Sequence, residues 1–396
     1  MHSISTPPQQ VSSRQITHLT YQELDVLHSL RGLCAFYVVI FHAKYILWSG
    51  GTEYLKAHPR SAWGVLDYMA FGFDLLSSAG YEMVIFFFAL SGFFIRYAQL
   101  RKHRAPLAFY RNRIVRIYPP YLVSVLLACL VLTLLVYGVP QVFTSASSRE
   151  LNTYLLESWQ QLSAFNWQYL LRTTGFLTVG LSFPGYNQVY WSLLPEGLFY
   201  LLVPLFFWRI RWYYWGSLLL YAVYLADLGS ILPPNFLTGY LLTYNFYFAL
   251  GAFLYDVVLH TAWLERVRRI PTWLIALSAL GLFGATIGLT LLHLKTYSGL
   301  LAALMAVLGI SALLAGKVST RNPLVRVLHT LGVFSFSLYL YHFPLLILCY
   351  GGLVWLTGET LFYARYYWLA VPIVTFASYG LYWITERVSV NYFRRV

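Results

Sequence analysis

Apolar runs of about 17 to 25 residues, each enough to cross a bilayer as a helix, recur along most of this chain with short polar interruptions. They fall near 30–48, 81–98, 119–138 and 190–208, then near 213–231, 237–257, 272–292, 297–315, 332–355 and 366–385. The pattern predicts an all-α fold, a polytopic bundle of about ten transmembrane helices with both termini on one side. Two stretches escape it. Residues 1–28 are polar, with Pro7, Pro8, Gln9 and Gln10, and lack the basic region, short apolar core and small-residue cleavage site of a signal peptide. They read as a cytoplasmic tail, and residues 29–396 as one membrane domain. The second stretch, about 139–189, reads as an insert on the exoplasmic side. Its Tyr154, Trp159, Phe165, Trp167, Tyr169, Phe183 and Tyr186 are aromatic enough to stack on sugar rings, although anchoring short helices at the lipid headgroups is the more economical expectation.

Charge fixes the expected orientation, because loops rich in Lys and Arg stay in the cytoplasm. Arg101, Lys102, Arg104, Arg111, Arg113 and Arg116 lie between the second and third runs. Arg209 and Arg211, then Arg266, Arg268 and Arg269, then Lys317, Arg321 and Arg326 follow in alternate loops, and the chain ends with Arg394 and Arg395. Both termini are therefore expected in the cytoplasm. The net charge of +13 has its cause in this topology, and nucleic-acid binding is not indicated. Composition agrees: 59% of residues are apolar and 10% charged, where a soluble domain carries roughly a quarter charged. Cys34, Cys129 and Cys349 all fall inside predicted spans, so neither a disulfide framework nor a zinc site is expected. A phosphate-cradling glycine loop is not seen, which argues against ATP-driven transport.

Ionisable groups inside the spans are costly and mark partners or cavities. Of ten histidines, only His42 and His342 sit well within a span, and Glu196 is the one deeply embedded acid. Glu82, Asp227, Asp256 and Glu386 lie near span ends, and Glu386 beside Arg387 reads as an interfacial ion pair. Arg31 and His42 are eleven residues apart, close to three helical turns, so they share a face about 16 Å apart along the axis. That suits a long ligand with an anionic head at the cytoplasmic rim and a reactive end near mid-bilayer, the shape of an acyl-coenzyme A. The alternative, equally open on geometry alone, is an arginine that snorkels to lipid phosphate and a histidine that merely packs. Arg113 and Arg116, three apart on one face just before the third run, can fork onto phosphate oxygens, or can be an ordinary positive flank.

Five segments together resemble the acyltransferase family 3 membrane proteins: RGLCAFYVVIFH (31–42), FFFALSGFFI (86–95), RIVRIYPPYL (113–122), YWSLLPEGLFY (190–200) and FSFSLYLYHFPL (334–345). The resemblance implies a roughly ten-helix enzyme of the membrane, the bacterial cytoplasmic membrane in many members. It moves an acyl group, most often acetyl, from cytoplasmic acyl-coenzyme A to a hydroxyl of a carbohydrate acceptor, such as the sugar of an exported or surface glycan, an exopolysaccharide or lipopolysaccharide among them. Position by position, Arg31 and His42 match the family's arginine and histidine pair, Arg113 and Arg116 its two-arginine motif, and Glu196 the acid that ends its Trp-Ser-Leu motif, here Trp191 and Ser192. Glu82 matches an acidic position often found before the Ser-Gly motif.

A hydroxyl attacks a thioester only once a base takes its proton, and neutral histidine suits that work. His42 is expected as the base, with Glu196 orienting the imidazole or stabilising its protonated form; an acyl-histidine intermediate is the open alternative. Ser91 is a possible nucleophile, but a small Ser-Gly pair in a membrane helix more often permits close packing. His342, followed by Phe343 and Pro344, either lines the same cavity or satisfies backbone freed by the proline. No metal is expected. The competing class is a transporter of a small anionic or glycan-linked solute, which would call for internal pseudo-symmetry and paired broken helices, and none is seen.

Overall fold

Turn and cap residues cut the apolar runs into helices. Asn322 accepts from the Leu324 amide to cap the helix Pro323–Val333, with proline in its first turn, and Gly358, in the left-handed region at φ 73°, ends the longest of the late helices. The computed structural model describes residue 19 and residues 21–102, 106–143, 149–180, 182–233 and 235–395. Most of the expected tail, with Pro7, Pro8, Gln9 and Gln10, lies outside the described residues, as does Arg104.

In chain order the principal helices are α1 (His28–Leu47), α2 (Gly80–Lys102), α3 (Pro106–Gly138), α4 (Leu193–Trp208), α5 (Asn245–His260), α6 (Thr272–Leu291), α7 (Lys295–Leu314), α8 (Ser335–Thr357) and α9 (Tyr367–Ile384). They form the bulk of nine stretches, among the described residues, that are long and apolar enough to cross a membrane. The tenth expected span, near 213–231, is the sixteen-residue helix Ile210–Leu225, about 24 Å long. Asp227 ends it in the left-handed conformation, φ 56°. Strands are not found among the described residues. The all-α polytopic bundle is thus the observed architecture.

The centre of the bundle is α1, packed by α2, α8, α9 and the helix Pro323–Val333. Two contacts depend on missing side chains. A Cβ on Gly32 would lie 1.8 Å from the Leu328 carbonyl oxygen, and one on Gly332 would lie 1.8 Å from that of His28. The backbones of α1 and Pro323–Val333 therefore touch, as small residues allow in membrane helices. Gly92 and Gly251 do the same for α2 and α5.

The insert departs from a headgroup-level loop. After the helix Glu150–Ser163, the short helix Trp167–Thr174 runs down the side of α3, where Tyr121 donates to the Thr173 carbonyl at 2.7 Å and Tyr118 to that of Thr174 at 3.0 Å. Phe176 packs against both tyrosine rings, at 5.3 and 4.8 Å. Tyr121 stands near the middle of α3, so the insert re-enters the bundle instead of resting on its end. Tyr169 and Tyr186 are buried within it, whereas Phe165 and Trp167 stay exposed, as headgroup anchors would. At the same end Arg149 donates to the carbonyls of Tyr45 (3.0 Å) and Ile46 (2.6 Å), closing the last turn of α1. Burial draws this guanidinium below its ordinary value, opposed by the Tyr350 ring beneath it.

Candidate active site

α1 and α8 run side by side, which brings the two histidines of the spans together. Nδ1 of His42 lies 2.9 Å from Nε2 of His342, and Nδ1 of His342 lies 2.9 Å from the Leu338 carbonyl oxygen. A carbonyl can only accept, so His342 Nδ1 carries a proton and donates it. For neutral rings the rest is forced: His342 Nε2 is a lone pair, His42 Nδ1 donates to it, and His42 Nε2 is left as a free base. Phe41 and Phe343 hold the His42 ring edge-on at 5.0 and 5.1 Å. His342 is fully buried, while His42 keeps partial exposure.

His342 is available for this pairing because other groups take the backbone that Pro344 disrupts. Proline has no N–H for the carbonyl four residues back. That carbonyl, on Leu340, accepts from Ser124 Oγ at 2.8 Å and from Asn187 Nδ2 at 2.9 Å. Ser124 and Asn187 escaped notice in the sequence, where the only signal was the proline itself.

Glu196 is placed elsewhere. Tyr200, one turn later on α4, donates to its Oε1 and lies 3.1 Å from Ser91 Oγ. The side chain bonded to the His42 imidazole is His342, with the Val38 carbonyl also within its reach, and the bond of Glu196 goes to Tyr200. Pro195 sits in the first turn of α4, where amide donors have no helical partner. Ser91 finds Tyr200 and not the histidine pair, and Gly92 beside it seats the Phe248 backbone, in keeping with a packing role for this Ser-Gly step. Ser192 Oγ lies 2.8 Å from Tyr339 OH, which donates to the Val189 carbonyl. Trp191 stacks on Tyr81 at 5.5 Å. These two braces hold the start of α4 against α8 and α2, one turn from His342. Glu82 is fully buried between α2, α6 and α7, accepting from Thr290 (2.7 Å) and Ser298 (2.6 Å); it does not join the histidines.

Three guanidiniums gather at the other end of the α1 face. Arg31 Nε donates to Ser335 Oγ at 3.3 Å and feels the charges of Arg116, Glu386 and Glu196. Arg113 lies over the rings of Tyr200 (5.2 Å) and Phe109 (5.6 Å), with its Nε buried and unpaired. Among the described residues, ion pairs lie elsewhere, at Arg96–Asp256, His329–Asp25 and Arg365–Asp74. Glu196 and Glu386 act on these guanidiniums without an ion pair to them, and like charges brought together in a low-dielectric setting with no direct carboxylate partner suit an anion. Glu386 does not neutralise them through Arg387 as an interfacial pair: it is buried, and its Oε2 accepts from the amide (3.1 Å) and hydroxyl (2.7 Å) of Ser337, while Arg387 stacks on Trp383. No group of three metal-ligating side chains occurs among the described residues.

Residues 24–387 match a family model described as an acyltransferase domain, of the third acyltransferase family. Comparison with curated proteins and with solved structures gives no match. The matched span takes in every side chain of the site, from Arg31 to Glu386, and on this ground the chain belongs to acyltransferase family 3, as a multi-pass membrane acyltransferase.

Proposed function

We propose that the protein carries an acyl group, acetyl in the simplest case, from cytoplasmic acyl-coenzyme A to a hydroxyl of a carbohydrate acceptor on the outer face of a bacterial cytoplasmic membrane. The observation that carries this reading is the bond between His42 Nδ1 and His342 Nε2, with His342 held in turn by the Leu338 carbonyl, on the same helix face as Arg31; in this tautomer His42 Nε2 is the unprotonated nitrogen. The basic loops support a cytoplasmic arginine end, with both termini on that side. Coenzyme A would lay its phosphates against Arg31, Arg113 and Arg116 and its thioester toward His42.

In the reaction His42 Nε2 removes the acceptor hydroxyl proton as the oxygen attacks the thioester carbonyl. The imidazolium keeps its Nδ1–H bond to His342 Nε2, whose lone pair stabilises the new charge, as a carboxylate does in the soluble triads. Collapse of the tetrahedral adduct breaks the C–S bond, and the departing thiolate recovers the proton from His42. Glu196, through Tyr200, holds the aromatic seat of Arg113 and acts as a positioning residue.

The test is transfer of radiolabel from acetyl-coenzyme A to a membrane glycan extract by the purified protein, with release of free coenzyme A. Wild type is expected to perform both and His42→Ala neither, at equal folded amount. Full activity in His42→Ala contradicts the assignment, and inactivity of wild type with every acyl donor favours a transporter.

A further inference from the structure

Among the buried nitrogens without a hydrogen-bond partner, that of His28 lies nearest in sequence to Arg31 on α1. Nδ1 of His28 is enclosed and has no hydrogen-bond partner, although the ring as a whole is only partly buried. His342, buried in the same bundle, satisfies its Nδ1 with a carbonyl. His28 does not.

The charged and titratable groups around it are Arg31, Asp25, His329 and Arg116. Asp25 is already engaged by His329 Nε2 at 2.9 Å, and the His329 ring meets His28 edge-on at 5.7 Å. Phe94 of α2 lies against the imidazole at 6.2 Å. Arg31 and Arg116 thus act electrostatically on an imidazole whose Nδ1 is unpaired, while Asp25, the carboxylate that acts on it, is held by His329. The position is rigid, because the His28 carbonyl is pressed on Gly332. His28 precedes Arg31 by three residues and so shares its face of α1. It stands about 21 Å from His42 along the axis, against about 16 Å for Arg31.

We propose that His28 and Arg116 form a subsite for the outermost phosphate of the donor, the phosphate monoester on the ribose 3′ position of coenzyme A. This rests on the donor reading above. With the thioester at His42 and the diphosphate level with Arg31, the ribose phosphate falls one turn farther out, at His28. A half-turn of the ring about Cβ–Cγ brings a nitrogen to its open edge, where the dianion supplies the missing acceptor.

The experiment compares acetyl-coenzyme A with acetyl-3′-dephospho-coenzyme A as donors for the purified full-length protein. Wild type is expected to show a KM about 10-fold lower for the phosphorylated donor, the scale of one charge-assisted contact. His28→Ala should cut that preference to about 3-fold or less, the remainder held by Arg116, with the change carried in KM and not in kcat. His28→Asn, whose amide N–H can stand in for Nδ1–H, should keep part of the preference. Equal KM values in wild type, or an intact preference in a His28→Ala protein that melts like wild type, overturn the subsite alone. Turnover of neither donor removes the donor reading, and the subsite with it.

Discussion

Leu340 shows how one backbone carbonyl decides the chemistry of its neighbours. Pro344 deprives it of a helical donor, Ser124 and Asn187 supply two, and His342 is thereby released to face His42 instead of mending the helix. Glu196 is the complementary case, an embedded acid whose partner is a tyrosine four residues on. Its position predicts a particular kinetic pattern. Glu196→Gln should raise the KM for acetyl-coenzyme A about 5-fold to 10-fold and change kcat by less than about 3-fold, because the carboxylate serves the arginine end. A fall in kcat of about 100-fold at constant KM, measured by coenzyme A release, would return the carboxylate to His42. At this scale the sequence shows which polar side chains are embedded and which share a face, as with Arg31 and His42. Partner choice between helices leaves no periodic trace, so the pairing of His42 with His342 was one possibility among others, and Tyr200 and Asn187 gave no sign of themselves.

Helix-to-helix contact sets where those side chains stand. α1 and Pro323–Val333 meet backbone to backbone at Gly32 and Gly332, which places His28, Arg31 and Ser335 together at one end of the bundle. Gly32→Ala would drive a methyl into the Leu328 carbonyl, which is backbone and cannot rotate away. The expected loss is about 1–3 kcal/mol, typical of overpacking, read as a lower midpoint of thermal unfolding in detergent together with loss of donor affinity. An unchanged midpoint would show that the helices are free to separate there. The spans themselves were legible as apolar runs, with one shortened by Asp227. The insert was not, because its aromatic and polar residues suit a headgroup anchor and a re-entrant segment equally well; only the hydroxyls of Tyr118 and Tyr121, bonded to Thr174 and Thr173, distinguish them.

One face of α1 joins two of the molecule's polar zones: guanidiniums that form no ion pair among the described residues at one end, and the His42–His342 pair toward the other. Such a division suits a substrate bearing several negative charges at a fixed distance from its reactive carbon, and the family to which the chain belongs transfers acyl groups. The central claim is that His42 acts as a base because His342 holds its other nitrogen. The most direct measurement is kcat for coenzyme A release by wild type, His342→Gln and His342→Phe at equal folded amount. The glutamine carbonyl can still accept from His42 Nδ1–H, so His342→Gln should keep activity within about 10-fold, whereas His342→Phe, which leaves only the Val38 carbonyl, should lose about 100-fold or more. A phenylalanine variant that is folded and as active as wild type would contradict the account.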